Sequence, residues 1–147
     1  NVEFLCSFNK NQELMPVSAI ASGGETSRLM LSIKAIIASH VALPSIIFDE
    51  VDTGVSGDVA DKMGAMMRNM GRQIQVIAIT HLPQVAAKGQ QHYKVFKADD
   101  EEKTVTSIAA LDYDQRVAEL AVMLSGSSVD PAAVMNAKSL LDKSNTK

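Results

Sequence analysis

The chain of 147 residues is 46% hydrophobic and 21% charged, a balance that suits one folded domain with its own core and excludes a disordered tail. A formal net charge of -3 argues against a strongly basic nucleic-acid surface within this stretch while leaving room for a local patch, and no apolar run approaches the roughly 20 residues of a membrane span. The single cysteine, Cys6, excludes a disulfide framework, suits a reducing cytoplasm and is expected to be a buried, inert thiol.

The opening carries neither a basic n-region, a cleavage-site pattern nor an initiator Met, so the expectation is a piece of a longer protein. Val2, Phe4, Cys6 and Phe8 share one parity and predict a strand over 2–8. Asn9 to Gln12 supply a turn, and "ELMPVS" returns as a second strand broken by Pro16. From Ser22 the period becomes helical, with Leu29, Ile33, Ile36 and Ile37 at spacings of three and four, running to about Ser39. Pro44 introduces "SIIFDE", whose apolar run Ile46 to Phe48 predicts a strand covered on both faces, as in a parallel sheet. After the loop "VDTGVSG", a helix over Asp58 to Met70 carries Val59, Met63, Met66, Met67 and Met70, expected to pack in the core.

Gln73 to Thr80 forms a second apolar strand that ends in His81, and "PQVAAKG" a short helix closed by Gly89. "HYKVFK" and "KTVTSIAAL" predict an antiparallel hairpin around the acidic turn "ADDEE", whose carboxylates are expected to be solvated rather than to hold a cation. Val117, Leu120, Ala121 and Leu124 mark a helix that "SGSS" breaks, and Asp130 with Pro131 caps and opens a last one ending in a frayed "SNTK". No internal repeat or low-complexity segment interrupts this alternation. It predicts an α/β fold with a parallel sheet flanked by helices, and ligands in such sheets gather beyond the C-terminal strand ends.

Those strand ends carry Asp49 and Glu50 on one side and His81 on the other. Adjacent carboxylates there suit nucleotide hydrolysis, Asp49 holding Mg²⁺ and Glu50 taking a proton from the attacking water. The plainer reading is a pair of solvated loop carboxylates. Upstream, Ser22, Gly23 and Gly24 put a hydroxyl and unhindered amides at a helix N-terminus, where unpaired N–H groups and the helix dipole favour a phosphate. A capping box between Ser22 and Glu25 would explain "SGGE" structurally. It does not call for two glycines, each costing about 1 kcal/mol within a helix relative to Ala, so a close approach to the backbone is expected.

In this order, "SGGE", "SIIFDEVD" and "ITH" resemble the signature motif, Walker B strand and switch-histidine strand of ABC-type ATPases. More narrowly, "ASGGETSRLMLSIKAI", "IIFDEVDTGVSG" and "AITHLPQVAAKGQQHYKVFK" resemble the C-terminal region of the RecN family, bacterial DNA double-strand-break repair ATPases related to the SMC proteins. The resemblance spans roughly Val2 to Leu124. It implies that residues 1–147 are the C-terminal lobe of a P-loop NTPase head of ABC/SMC type, cytoplasmic and nucleoid-associated, acting on double-stranded DNA or DNA ends in repair and recombination. It implies that Ser22, Gly23, Gly24 and Glu25 lie at the γ-phosphate of an ATP held by a second head in a homodimer. It further implies Asp49 as the Mg²⁺ carboxylate, Glu50 as catalytic base, Asp52 in the loop crossing the dimer interface, and His81 as γ-phosphate sensor. Arg28 reads equally as a phosphate contact or a solvated helix face, and the role of Gln84 does not follow from the residues.

One departure limits the chain by itself: no G-x-x-x-x-G-K-[ST] loop occurs in it, so the cradle and lysine for the β and γ phosphates are absent, as is any sustained heptad for a coiled coil. ATP hydrolysis is expected of the longer protein and little or none of this chain. Two rival readings remain: an ABC-type ATPase module outside DNA repair, and a non-catalytic dimerisation or DNA-bridging domain.

Overall fold

The computed structural model describes residues 2–7, 10–100, 103–126 and 129–145. The chain opens with a short antiparallel pair, β1 (Leu5–Cys6) against β2 (Met15–Pro16), followed by a single turn, α1 (Val17–Ile20). The pair is far shorter than the sequence predicts, because Pro16 has no N–H to continue a ladder and the chain turns directly into α1. Phe8 and Asn9, where the strand end and turn were expected, lie outside the described residues. Cys6 is free and half-buried rather than enclosed.

Next come α2 (Gly23–His40), β3 (Ser45–Asp49), α3 (Gly57–Met70), β4 (Gln75–Ile79) and the short α4 (Pro83–Ala86). The strands β3 and β4 pair in parallel, Ser45 with Gln75 through Asp49 with Ile79, so both chains leave the ladder at the same end. The first core cluster assembles here around Phe48, which is 0% exposed, with Leu31 of α2, Ala60, Met63 and Met67 of α3, Val55 and Val85. The buried face of α3 is Ala60, Met63, Gly64 and Met67, a clean three-and-four spacing, whereas Val59 and Met66, expected in the core, are exposed. Gly64 is required by close packing: a Cβ there would stand 2.9 Å from the Lys88 side chain and 3.2 Å from backbone atoms of Gln84 and Val85.

Only one face of the β3–β4 ladder is covered among the described residues. Ile46, Phe48 and Val76 pack on the α3 side, while Ile47, Ile77 and Ile79 are 58%, 44% and 54% exposed, so the expectation of a strand enclosed on both faces is not met. Among the described residues no second layer of helix lies opposite α3 to take up those three isoleucines.

A hairpin follows, β5 (Tyr93–Asp100) against β6 (Lys103–Ala110). Its strands extend through Asp99 and Asp100, so half of the acidic run belongs to the ladder, and Glu101 and Glu102 lie outside the described residues. Then α5 (Tyr113–Ser125) packs on α6 (Pro131–Asn145) around Val117, Leu120, Ala121, Ala133, Ala137 and Leu141. The Arg116 guanidinium donates to the carbonyls of Ala87, Gly89 and Gln90, fastening α5 to the segment after α4. Burial lowers its pKa from the usual value. Asp130 caps α6 by accepting from the Ala133 amide at 2.6 Å, as the sequence predicts; of the tail expected to fray, Ser144 is buried and donates to the Leu140 carbonyl, and Thr146 and Lys147 lie outside the described residues. No described helix is long and apolar enough to cross a membrane.

Candidate active site

The parallel pairing of β3 and β4 sets the site. Asp49 ends β3 opposite Ile79, the Glu50 amide donates to the Ile79 carbonyl at 3.3 Å, and Thr80 and His81 leave β4 at the same end. The carboxylates of Asp49 and Glu50 and the His81 ring are thus delivered to one edge, all three exposed. Glu50 is the one non-glycine residue with positive φ among the described residues, at 48°. A left-handed backbone costs an ordinary residue about 1–2 kcal/mol and persists only when its surroundings impose it. Here the imposition is local: the Glu50 carbonyl accepts from both the Thr53 amide and the Thr53 hydroxyl, turning the chain sharply out of the strand.

The start of α2 lies against that turn. Ser22 is the N-cap, its hydroxyl accepting from the Glu25 amide while the Glu25 carboxylate accepts from the Ser22 amide at 2.8 Å and the Ser22 hydroxyl at 2.7 Å. The capping box is therefore real, and the Ser22 hydroxyl and amide beside the Glu25 carboxyl lower its pKa. The two glycines divide the remaining work. A Cβ on Gly24 would meet the carbonyl oxygens of Gly54 at 3.3 Å and Thr53 at 3.5 Å, and an Arg28 guanidinium nitrogen at 3.3 Å. A Cβ on Gly23 would meet nothing within 4 Å. The expected close approach is thus to the protein's own loop at Gly24, and Gly23 faces open space. Arg28 folds back over this helix start, and Gln84 sits half-buried in α4.

Asp52 differs from the other candidates: it is 1% exposed, with its carboxylate turned into the protein. One oxygen accepts a hydrogen bond from the Thr80 hydroxyl, which in turn accepts from the Leu82 amide at 3.0 Å. The other, Oδ1, makes no hydrogen bond and lies 3.6 Å from His81 Nδ1. A buried carboxylate in this orientation presents no oxygen to a facing molecule. Thr80 escaped the sequence reading because nothing in a strand-terminal Thr announces a partner 28 residues away.

Among the described residues, no group of three or more His, Cys, Asp or Glu side chains could hold a metal. A single hard, exposed carboxylate at Asp49 fits Mg²⁺ that takes most of its ligands from phosphate and water, and fits a transition metal poorly. Concavities among the described residues include one lined by Ala38, Val41, Pro44 and Gln73 at the opposite end of the ladder and one between α5 and α6. At the strand ends themselves the Asp49, Glu50 and His81 side chains are exposed.

No family model matches the chain. Solved SMC ATPase heads share its fold. The head of the Pyrococcus yayanosii Smc with a coiled coil and joint superposes with a TM-score of 0.62 at 21% identity, over 70% of this chain and 19% of that one. A structure solved for ATP-driven dimerization and DNA-stimulated activation of SMC ATPases gives 0.59 at 14% identity, over 80% and 70%. The fold is thus that of an SMC-type ATPase head. Among curated relatives, the DNA repair protein RecN of Vibrio cholerae is 47% identical over 140 residues, 95% of this chain and 25% of that protein. RecN of Haemophilus influenzae is 42% identical over 142 residues, 97% and 25%. The chain belongs to the RecN family over the quarter of those relatives' length that it spans.

Proposed function

We propose that this chain is the C-terminal lobe of a RecN-type ATPase head, carrying the signature and Walker B motifs, and that the whole protein binds and hydrolyses ATP between two heads in DNA double-strand-break repair and recombination. The observation that carries the catalytic part is the left-handed Glu50 at the end of β3, held at the same ladder edge as Asp49 and His81. Strain of that kind in a group suited to base chemistry supports an enzyme over a scaffold that has kept only the fold. A bacterial, cytoplasmic and DNA-associated setting follows from the same reading.

In this reading the unobstructed backbone at Gly23 meets the γ-phosphate of an ATP held by a second head, and the Ser22 hydroxyl turns from the Glu25 carboxylate to that phosphate. Gly24 keeps that helix start seated on the Thr53–Gly54 loop. Asp49 would hold Mg²⁺, which neutralises phosphate charge when bound. Glu50 orients the attacking water and accepts its proton, and His81 faces the γ-phosphate or that water. The phosphate loop that completes each site belongs to sequence outside this chain.

Steady-state Mg-ATP hydrolysis by the full-length protein, with and without linear double-stranded DNA, tests the reading beside its Glu50→Gln form. Activity stimulated by DNA and lost in Glu50→Gln, with ATP-dependent head pairing retained, is expected. Hydrolysis indifferent to DNA would move the assignment to an ATPase outside repair, and hydrolysis surviving Glu50→Gln would remove Glu50 from the chemistry.

A further inference from the structure

We infer that Asp52 and Thr80 form an internal clasp that positions His81, so that Asp52 serves this head's own site rather than reaching across to another; the inference rests on the reading of His81 as a ligand-facing group. Three observations converge. Asp52 is 1% exposed, which leaves it no surface to offer a facing head. Its Oδ2 is already engaged by the Thr80 hydroxyl, while that hydroxyl accepts from the Leu82 amide, so the segment leaving β4 is tied to the loop leaving β3 on both sides of His81. Its Oδ1 is buried without a hydrogen-bond partner and stands 3.6 Å from His81 Nδ1, a few tenths of an ångström beyond a hydrogen bond.

A buried carboxylate oxygen without a donor is costly, and among the described residues the basic side-chain nitrogen within 4 Å of it is that of His81. Closing this gap satisfies Oδ1 and fixes the ring with Nδ1 as donor, leaving Nε2 as the atom remote from Asp52 and available to water or phosphate. Which ring nitrogen carries a proton is set by the bond the other one makes, so Asp52 determines what His81 presents at the site. His81 itself is two-thirds exposed, so this contact is a main source of order for its ring. Thr80 supplies the rigidity: its hydroxyl locks the carboxylate plane while the backbone of Leu82 locks the hydroxyl.

The test is a double-mutant cycle on ATP turnover by the full-length protein. Asp52→Asn, which keeps size but replaces one acceptor by a donor, is expected to lower kcat at least tenfold with KM changed less than twofold. In a His81→Ala background the same substitution is expected to add less than a twofold loss, because the group it positions is gone. Thr80→Val should reproduce the Asp52→Asn loss, and Thr80→Ser, which keeps the hydroxyl, should restore most of the rate. Should Asp52→Asn fail to fold, Thr80→Val carries the same comparison against His81→Ala. Losses that multiply undiminished in the double variant would overturn the clasp while leaving His81 in the site. A fully active His81→Ala protein would instead defeat the reading of His81 on which the clasp rests.

Discussion

Replacing Gly23 and Gly24 one at a time by alanine separates the two demands placed on the start of α2. At Gly23 an added methyl meets nothing within 4 Å. Alanine there should therefore stabilise the helix by up to about 1 kcal/mol, the usual preference over glycine, which for a domain of this size is a rise in Tm of about 2–4 °C. The same methyl projects into the space where a phosphate would approach the Gly23 amide, so turnover should fall by at least tenfold while stability rises. At Gly24 the helix preference is identical, but the methyl stands 3.3 Å from the Gly54 carbonyl and 3.5 Å from that of Thr53. Both are backbone atoms of a loop pinned by Thr53 to Glu50, so the loop must shift by a few tenths of an ångström, and the gain should vanish or reverse. Thermal unfolding and Mg-ATP turnover of the two full-length variants, measured side by side, check both statements. A Gly23→Ala protein that is more stable and fully active would refute phosphate binding at this helix start, and a Gly24→Ala protein stabilised as much as Gly23→Ala would refute the seating of α2 on the loop.

Glu50→Gly should raise stability by about 1 kcal/mol by removing the left-handed strain at φ 48° while abolishing hydrolysis, read by thermal unfolding beside turnover. Phe48→Ala, at the fully buried centre of the first core, should cost about 3–5 kcal/mol in chemical denaturation. His92 is half-buried with its Nδ1 lacking a hydrogen bond, and burial, helped by the Arg116 and Lys94 charges against the opposing pull of Glu119, lowers its pKa below the usual 6.5. Between those two values the unfolded chain binds the proton and the folded one does not, so stability should fall as pH drops below about 6.5, and His92→Gln should flatten that part of the stability–pH curve.

What the sequence discloses here is what repeats along it or sits at a chain-local position. The helical period from Leu29 to Ile37, the apolar run before Asp49 and the Asp130–Pro131 cap all depend on neighbours within a few residues, and all three elements form where expected. The Ser22–Glu25 capping box is equally local, and so is its counterpart at α5, where Asp112 and Gln115 satisfy each other at the same spacing. Misreadings arise where a contact joins distant segments. Val59 and Met66 are apolar, yet only the packing of α3 against β3 and α4 decides that Ala60 and Gly64 take the inner face instead. The inward turn of Asp52 depends on Thr80, and the need for Gly24 depends on Gly54, neither of which any local spacing encodes. Motif order thus marks the candidate residues, whereas the division of labour among them is a property of the folded loops.

The uncovered face of the β3–β4 ladder bears directly on that division, because among the described residues the strands that deliver Asp49, Glu50 and His81 are packed from one side alone, by α3 with Leu31 of α2. Parallel strands are ordinarily buried on both faces, and Ile47, Ile77 and Ile79 give the open face the composition of an interior. Ile77→Lys distinguishes the two possibilities for the full-length protein. On a face that stays in water, the substitution exchanges one half-exposed side chain for a solvated one and should change stability by less than about 0.5 kcal/mol. On a covered face, it buries an ammonium without a partner and should cost several kcal/mol. The chain spans only a quarter of the length of the relatives it matches, and on the reading proposed above, in which it is one lobe of a longer head, the larger cost is the expected result. Chemical denaturation of the full-length wild-type and Ile77→Lys proteins measures it, and a change within about 0.5 kcal/mol would show that the strand ends are fixed by α3 and by their own loops without a second layer.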